Sequence, residues 1–249
     1  MRDNARRQVL LVVQYDGTGY YGFQRQPGLP TIQSELESAL SQLLGEDTKI
    51  TGAGRTDAGV HALGQTVTFE SQSPIPESRL VAALNALLPD EISAVEASVV
   101  PDDFHPRYHA TGKLYGYRIL NRQLPSPFIG RYAWHFRPDL DLGSMCEAAG
   151  LLLGEHDFVA FSSSGSSVVD TVRELRRLDI ESQGDLVEIH IEASGFLYMM
   201  VRRIVGTLTD VGRGLISPED VGEILRSLDR TRVKTIAPPQ GLSLIKVTY

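Results

Sequence analysis

The stretch GAGRTDAGVHALGQ, residues 52–65, gathers side chains able to do chemistry among residues able to bend a chain. Asp57 and Arg55 lie two apart, bracketed by Gly52, Gly54 and Gly59, and His61 follows four residues after the aspartate. Glycine is cheap at tight turns, where a Cβ would clash. Two readings of Asp57 stand side by side. Aspartate in a glycine-rich turn accepts hydrogen bonds from its own backbone and is then a structural residue. A carboxylate held rigidly between two strands, with a cation two residues away, stays ionised and can act as nucleophile or base.

Other residues invite the same double reading. His105 and His109 are four apart, a spacing that lets two histidines on a helix share a zinc ion. Pro106 lies between them, however, and there is neither an HExxH pattern nor a second cysteine, so no metal site is expected. Tyr115 and Tyr117 alternate along an apparent strand. Strand tyrosines commonly pack across strands, but aromatic rings also stack on bases in single-stranded RNA recognition. Arg202 and Arg203 interrupt the apolar segment FLYMMVRRIVG. One is expected to leave the apolar stripe toward solvent and the other to face a cleft, where a buried arginine needs an anionic partner such as Asp57. Arg55, Arg107, Lys113, Arg118, Arg202 and Arg203 form a candidate basic set for phosphate contacts.

The chain of 249 residues is ordinary in composition, 42% hydrophobic and 22% charged, which excludes a disordered protein. Its net charge of −7 speaks against a broadly basic nucleic-acid binder, so RNA contacts would need a confined positive surface. A lone cysteine, Cys146, excludes an internal disulfide framework and fits a reducing compartment. The apolar run VLLVV at 9–13 is too short for a signal-peptide core or a membrane span, so a cytoplasmic protein is expected.

The patterning predicts the elements that must position these residues. VLLVVQY at 9–15 reads as a buried strand. Thr31 caps a helix whose apolar face includes Ile32, Leu36, Leu40 and Leu44, and Gly45 closes it. DTKITGA leads into the glycine loop as a short strand, and QTVTFE leaves it as a half-buried one with Val67 and Phe69 on one face. PESRLVAALNALLP reads as a helix with Pro76 at its first helical position, and EISAVEASVV as a strand. The irregular segment PDDFHPRYHATG at 101–112 marks a boundary, dividing residues 1–105 from 106–249. Beyond it come the strand KLYGYRILN, a helix near 141–153, a hairpin turning at Gly184, and a helix over 198–211. Ser217-Pro218-Glu219-Asp220 opens a further helix, and GLSLIKVTY closes the chain as a strand. Recurrent hairpins without strict βαβ alternation indicate an α+β fold, with a largely antiparallel sheet and helices on one face.

GAGRTDAGVHA, PDDFHPRYHATGKLYGYRI, FLYMMVRRIVG and GLSLIKVTY occur in that order. From VVQYDGTGYYGFQRQ to its end, the chain resembles the tRNA pseudouridine synthases that act on uridines 38–40 of the anticodon stem-loop. The resemblance implies that Asp57 is the catalytic aspartate. It implies that Arg55 helps turn the target uridine out of the stack, that Tyr115 stacks on its uracil, and that Arg202 pairs with the catalytic carboxylate. Arg203 stands where the family commonly carries asparagine or lysine. The resemblance further implies two similar α+β halves with sheets joined across a central cleft, a homodimer, and neither metal nor organic cofactor.

That reaction suits the residues. Isomerisation neither gains nor loses atoms, so it needs no redox centre, phosphate donor or second substrate. An aspartate serves it either by attack at C1′ or by removal of the 2′ proton. Two other classes remain open: an RNA-binding module without chemistry, and a hydrolase using Asp57 as nucleophile, for which no general-base partner is evident.

Overall fold

The computed structural model describes residues 6–165 and 169–249. The fold is α+β with mainly antiparallel strand pairing, and the chain divides into two compact units: Met1–Ala110 with Leu244–Tyr249, and Thr111–Ser243.

In the first unit, strand β1 (Arg7–Tyr15) buries Val9, Leu11, Val13 and Tyr15, which alternate onto one face as a strand demands. Helix α1 (Ile32–Leu44) starts with the expected cap: Thr31 and Ser34 form a reciprocal capping box, and Gly45 ends the helix at φ 73°. β2 is short, Thr51–Gly52, and pairs with β3 (His61–Ser71). β3 starts four residues earlier than the alternating segment QTVTFE, so His61 already lies in the strand. Gln65 to Phe69 are all buried, so both faces of this strand are covered, where alternation predicts one. The strand is central in its sheet, with β1, β2 and the closing strand as neighbours. Helix α2 (Glu77–Asn85) packs on β4 (Ile92–Val100); Pro76 is its N-cap rather than its first helical residue. β1 pairs antiparallel with both β3 and β4.

The second unit begins with β5 (Gly112–Asn121), against which β6 (Trp134–Phe136) runs parallel, an exception to the antiparallel pattern. Helix α3 (Leu142–Gly150) is capped by Asp141. β7 (Gly154–Asp157), β8 (Val172–Gln183) and β9 (Leu186–Ala193) continue the order β5-β9-β8-β7, with Gly184 in the hairpin turn at φ 60°. Helix α4 (Met200–Gly212) is buried almost all round, as a helix in the middle of a core must be. α5 (Pro218–Ser227) opens with the Ser217–Asp220 capping box and Pro218 at its start. β6, β7 and the single 3-10 turns at Val159–Phe161, Arg230–Arg232 and Pro239–Gly241 carry no pattern long enough to read from sequence. The closing strand β10 (Leu242–Thr248) neighbours β3, and its residues from Leu244 onward belong to the first unit.

Candidate active site

The glycine loop between β2 and β3 is fastened at four points. Ala53 N–H donates to the Thr66 carbonyl at 2.9 Å, and Gln65 Nε2 donates to the Gly54 carbonyl at 3.2 Å. Phe23 N–H donates to the Thr56 carbonyl at 3.0 Å. Beneath the loop, the Tyr15 hydroxyl lies 2.8 Å from Thr56 Oγ1, both residues being buried. Thr56 is therefore held through side chain and backbone, and the next residue is Asp57. The aspartate closes its own turn by accepting from Val60 N–H through its carbonyl at 3.1 Å. That turn is made by backbone. The Asp57 side chain is half-buried, while Arg55 is exposed.

Two glycines outside the loop make this close packing feasible. A Cβ on Gly17 would lie 2.0 Å from the Val60 carbonyl oxygen. One on Gly22, whose φ is +90°, would lie 2.8 Å from the Thr56 oxygen and 3.2 Å from Ala58 N. The segment YDGTGYYGF thus presses its backbone against the loop where side chains would forbid it. Asp16 and His61 add a second brace. Asp16 Oδ1 accepts from Thr18 N–H and Oγ1 and lies 3.1 Å from His61 Nδ1, which itself faces Gly17 N–H at 3.0 Å.

Burial drives the Tyr15 hydroxyl up to about 12, against smaller opposing effects of its bonds to Thr56 and Gln65. It is neutral at working pH, so the brace under Thr56 keeps its proton.

In the second unit, Tyr115 and Tyr117 sit two apart on β5 and both are buried, as is the face they share. Tyr115 meets Phe196 edge to face at 5.0 Å. Tyr117 donates its hydroxyl to the Pro238 carbonyl at 2.8 Å, and its ring packs where a Cβ on Gly241 would lie 2.6 Å away. Desolvation raises its hydroxyl well above the ordinary range, while the charge of Arg202 works against that shift. Arg202 anchors the same segment: its Nε donates to the Ala237 carbonyl at 2.7 Å, and Ala237 N–H donates back to the Arg202 carbonyl at 3.0 Å. The structure therefore brings Arg202 and Tyr117 onto the 237–238 segment, with Tyr115 one strand step further along.

Neither arginine of the pair swings out to solvent, contrary to the sequence expectation. Arg202 is half-buried and Arg203 is 6% exposed. Of the two, only Arg203 is enclosed within the α4 core. Arg203 instead uses backbone carbonyls, donating from Nη2 to Ala160 and Arg230. Arg118 forms a surface pair with Glu188 at 2.7 Å, and Arg107 is exposed in the boundary segment. In that segment His109 Nδ1 accepts from His105 N–H, and His105 Nδ1 from Arg107 N–H, so both rings cap turns.

Sequence reasoning singled out Asp57 and Arg55 but not the residues that hold them: Tyr15, Gly17, Gly22, Thr56 and Gln65. The available signal was the density of glycine in YDGTGYYGF, whose meaning depends on which backbone it meets.

The fold is α+β, and its glycine loop carries Asp57 on a braced backbone. The comparison with known proteins makes that specific. A family described as tRNA pseudouridine synthase matches residues 11–109 and 148–249. A tRNA pseudouridine synthase A of Thermoanaerobacter sp. (strain X514) is 49% identical over 243 residues, covering 98% of this chain and 100% of the relative. Relatives of the same description from Clostridium perfringens (strain 13 / Type A), there called tRNA pseudouridine synthase A 2, and Caldicellulosiruptor saccharolyticus are 44% and 43% identical over the same coverage. The chain belongs to the tRNA pseudouridine synthase family, whose members are isomerases.

Proposed function

We propose that this chain converts uridine to pseudouridine at positions 38, 39 and 40 of the tRNA anticodon stem-loop, with Asp57 as the group that acts at the ribose. The observation that carries the proposal is the brace under Asp57: Tyr15 on Thr56 Oγ1, Phe23 on the Thr56 carbonyl, and Gln65 on Gly54.

The chemistry breaks the N1–C1′ bond, turns the uracil over and joins C5 to C1′. Asp57 either bonds to C1′ as the base leaves or takes the 2′ proton to give a glycal; in both routes the carboxylate is regenerated. N1 gains a proton and the C5 hydrogen passes to water, so the product has the mass of the substrate. Arg202 is assigned as the counter-charge that keeps the carboxylate ionised. Tyr115 is assigned to stack on the uracil, and Arg55 to offset extrusion of the nucleotide, which costs on the order of a few kcal/mol.

In this reading residues 1–105 carry the acid loop and 106–249 carry Tyr115 and Arg202. The protein works in the cytoplasm as a homodimer and requires no metal or cofactor. A net charge of −7 means that tRNA must bind on a confined basic surface, so binding should weaken steeply with salt.

The test is release of tritium from tRNA labelled at uridine C5, in the presence of a chelator. Release by the wild type and none by Asp57→Asn supports the proposal. Binding without release points to an RNA-binding module, and free uracil to a hydrolase.

A further inference from the structure

A turn of the second unit, Ser162–Gly165, joins Thr171, Leu197 and Arg230 around a pocket of about 140 Å³. A pocket of that size has room for a tetrahedral anion and its hydration. The lining is set up for negative charge. Ser162 donates its hydroxyl to the Val159 carbonyl at 2.8 Å and accepts from Arg230 Nε at 3.0 Å. That bond fixes the plane of the Arg230 guanidinium, while neither of its Nη groups has a protein acceptor among the described residues.

A second arginine lies behind the first. Arg203, 94% buried by its 6% exposure, donates from Nη2 to the carbonyls of Ala160 and of Arg230 itself. Its Nε is buried with no partner among the described residues. Burial, and secondly the charge of Arg230, push the Arg203 guanidinium below its ordinary range. No carboxylate forms an ion pair with either arginine among the described residues. The nearest acids in sequence are committed elsewhere. Asp229 Oδ1 accepts from Thr231 N–H and Oγ1, both at 2.8 Å, and Asp170 Oδ1 accepts from Val172 N–H at 2.9 Å. The exposed Arg230 guanidinium thus lines a small pocket, and the buried cation of Arg203 bonds to its backbone carbonyl. An anion seated there would offset the repulsion between the two guanidiniums.

We propose that this pocket seats one backbone phosphate of the substrate RNA, with the Arg230 Nη groups as charge-assisted donors and the Ser164 and Thr171 hydroxyls beside them. The proposal rests on the tRNA reading above and adds to it a positioning contact away from the acid loop. The same chemistry would also receive free phosphate, and the test separates the two sources.

Binding of an unmodified tRNA transcript is measured between about 50 and 200 mM KCl for the wild type, Arg230→Gln and Arg230→Lys. Arg230→Gln should raise Kd about five- to tenfold and reduce the slope of log Kd against log[KCl] by about one, with Arg230→Lys retaining the slope. Thermal melting with inorganic phosphate forms the second arm. Stabilisation of the wild type by phosphate, together with an unchanged tRNA slope in Arg230→Gln, assigns the pocket to free phosphate and overturns the proposal. A loss of affinity without change of slope, or no loss at all, overturns it too. These readouts need no turnover. An Arg230-dependent slope in a protein that releases no tritium would sink the catalytic reading while leaving the pocket in place.

Discussion

Tyr15→Phe deletes a single oxygen and leaves the ring in place. Tyr15 is 4% exposed and Thr56 6%, and their hydroxyls are 2.8 Å apart. Neither can turn to water when the other is removed. Leaving the buried Thr56 hydroxyl without its partner costs about 1–3 kcal/mol, so Tyr15→Phe should destabilise by that amount in urea unfolding, and Thr56→Val by less because Gln65 still bonds the Tyr15 hydroxyl. The double variant removes both polar groups together and should cost little more than Tyr15→Phe alone, a coupling of about 1 kcal/mol or more. Turnover should follow, because Thr56 immediately precedes Asp57. Each single variant should lower kcat about tenfold, equivalent to about 1.4 kcal/mol, with little change in KM. Stability and tritium release across the four proteins complete the cycle. Additivity within about 0.5 kcal/mol, or a stability loss that leaves kcat untouched, would refute the idea that this hydrogen bond positions the acid.

The same tyrosine gives a pH signature. Its folded value of about 12 lies above the ordinary 10.0, so its contribution is complete below pH 10 and disappears as pH rises to 12, about 3 kcal/mol in all. The stability difference between wild type and Tyr15→Phe should shrink by that amount over this window in pH-dependent urea melts; a constant difference would contradict it. Gly22→Ala should cut kcat at least tenfold by pushing on the Thr56 carbonyl, whereas Gly28→Ala, at φ +73° but with nothing within 4 Å, should cost about 1 kcal/mol of stability and no activity. Tyr115→Phe should keep the stacking contribution and Tyr115→Ala should lose about 1–3 kcal/mol in kcat/KM; equal effects would assign the role to the hydroxyl.

Much of the frame was legible because local rules agree with the fold. Thr31 and Gly45 mark the ends of α1, and Ser217-Pro218 marks the start of α5, through hydrogen bonds made within a few residues. β9 announces itself by the alternation of Val187, Ile189 and Ile191, and the β8–β9 hairpin by Gly184 at its turn. What stayed hidden depends on distant partners. β3 looks half-buried by its alternation, yet Gln65 to Phe69 are all buried by what packs on its two faces. Arg203 looks as though it needs a carboxylate until the carbonyls of Ala160 and Arg230 are placed beside it. The acid itself could be found from GAGRTDAG. Its support could not, since Tyr15 and Thr56 are separated by 41 residues and nothing in either segment names the other.

The central claim is that the Asp57 carboxylate drives isomerisation in the anticodon stem-loop. Reverse transcription of a carbodiimide-treated tRNA transcript, after incubation with the enzyme, reads each pseudouridine as a stop. Stops reporting positions 38–40 with the wild type, and none with an equally folded Asp57→Asn protein, are the predicted result. Stops at those positions with the asparagine variant, or stops only elsewhere in the tRNA with the wild type, would contradict it.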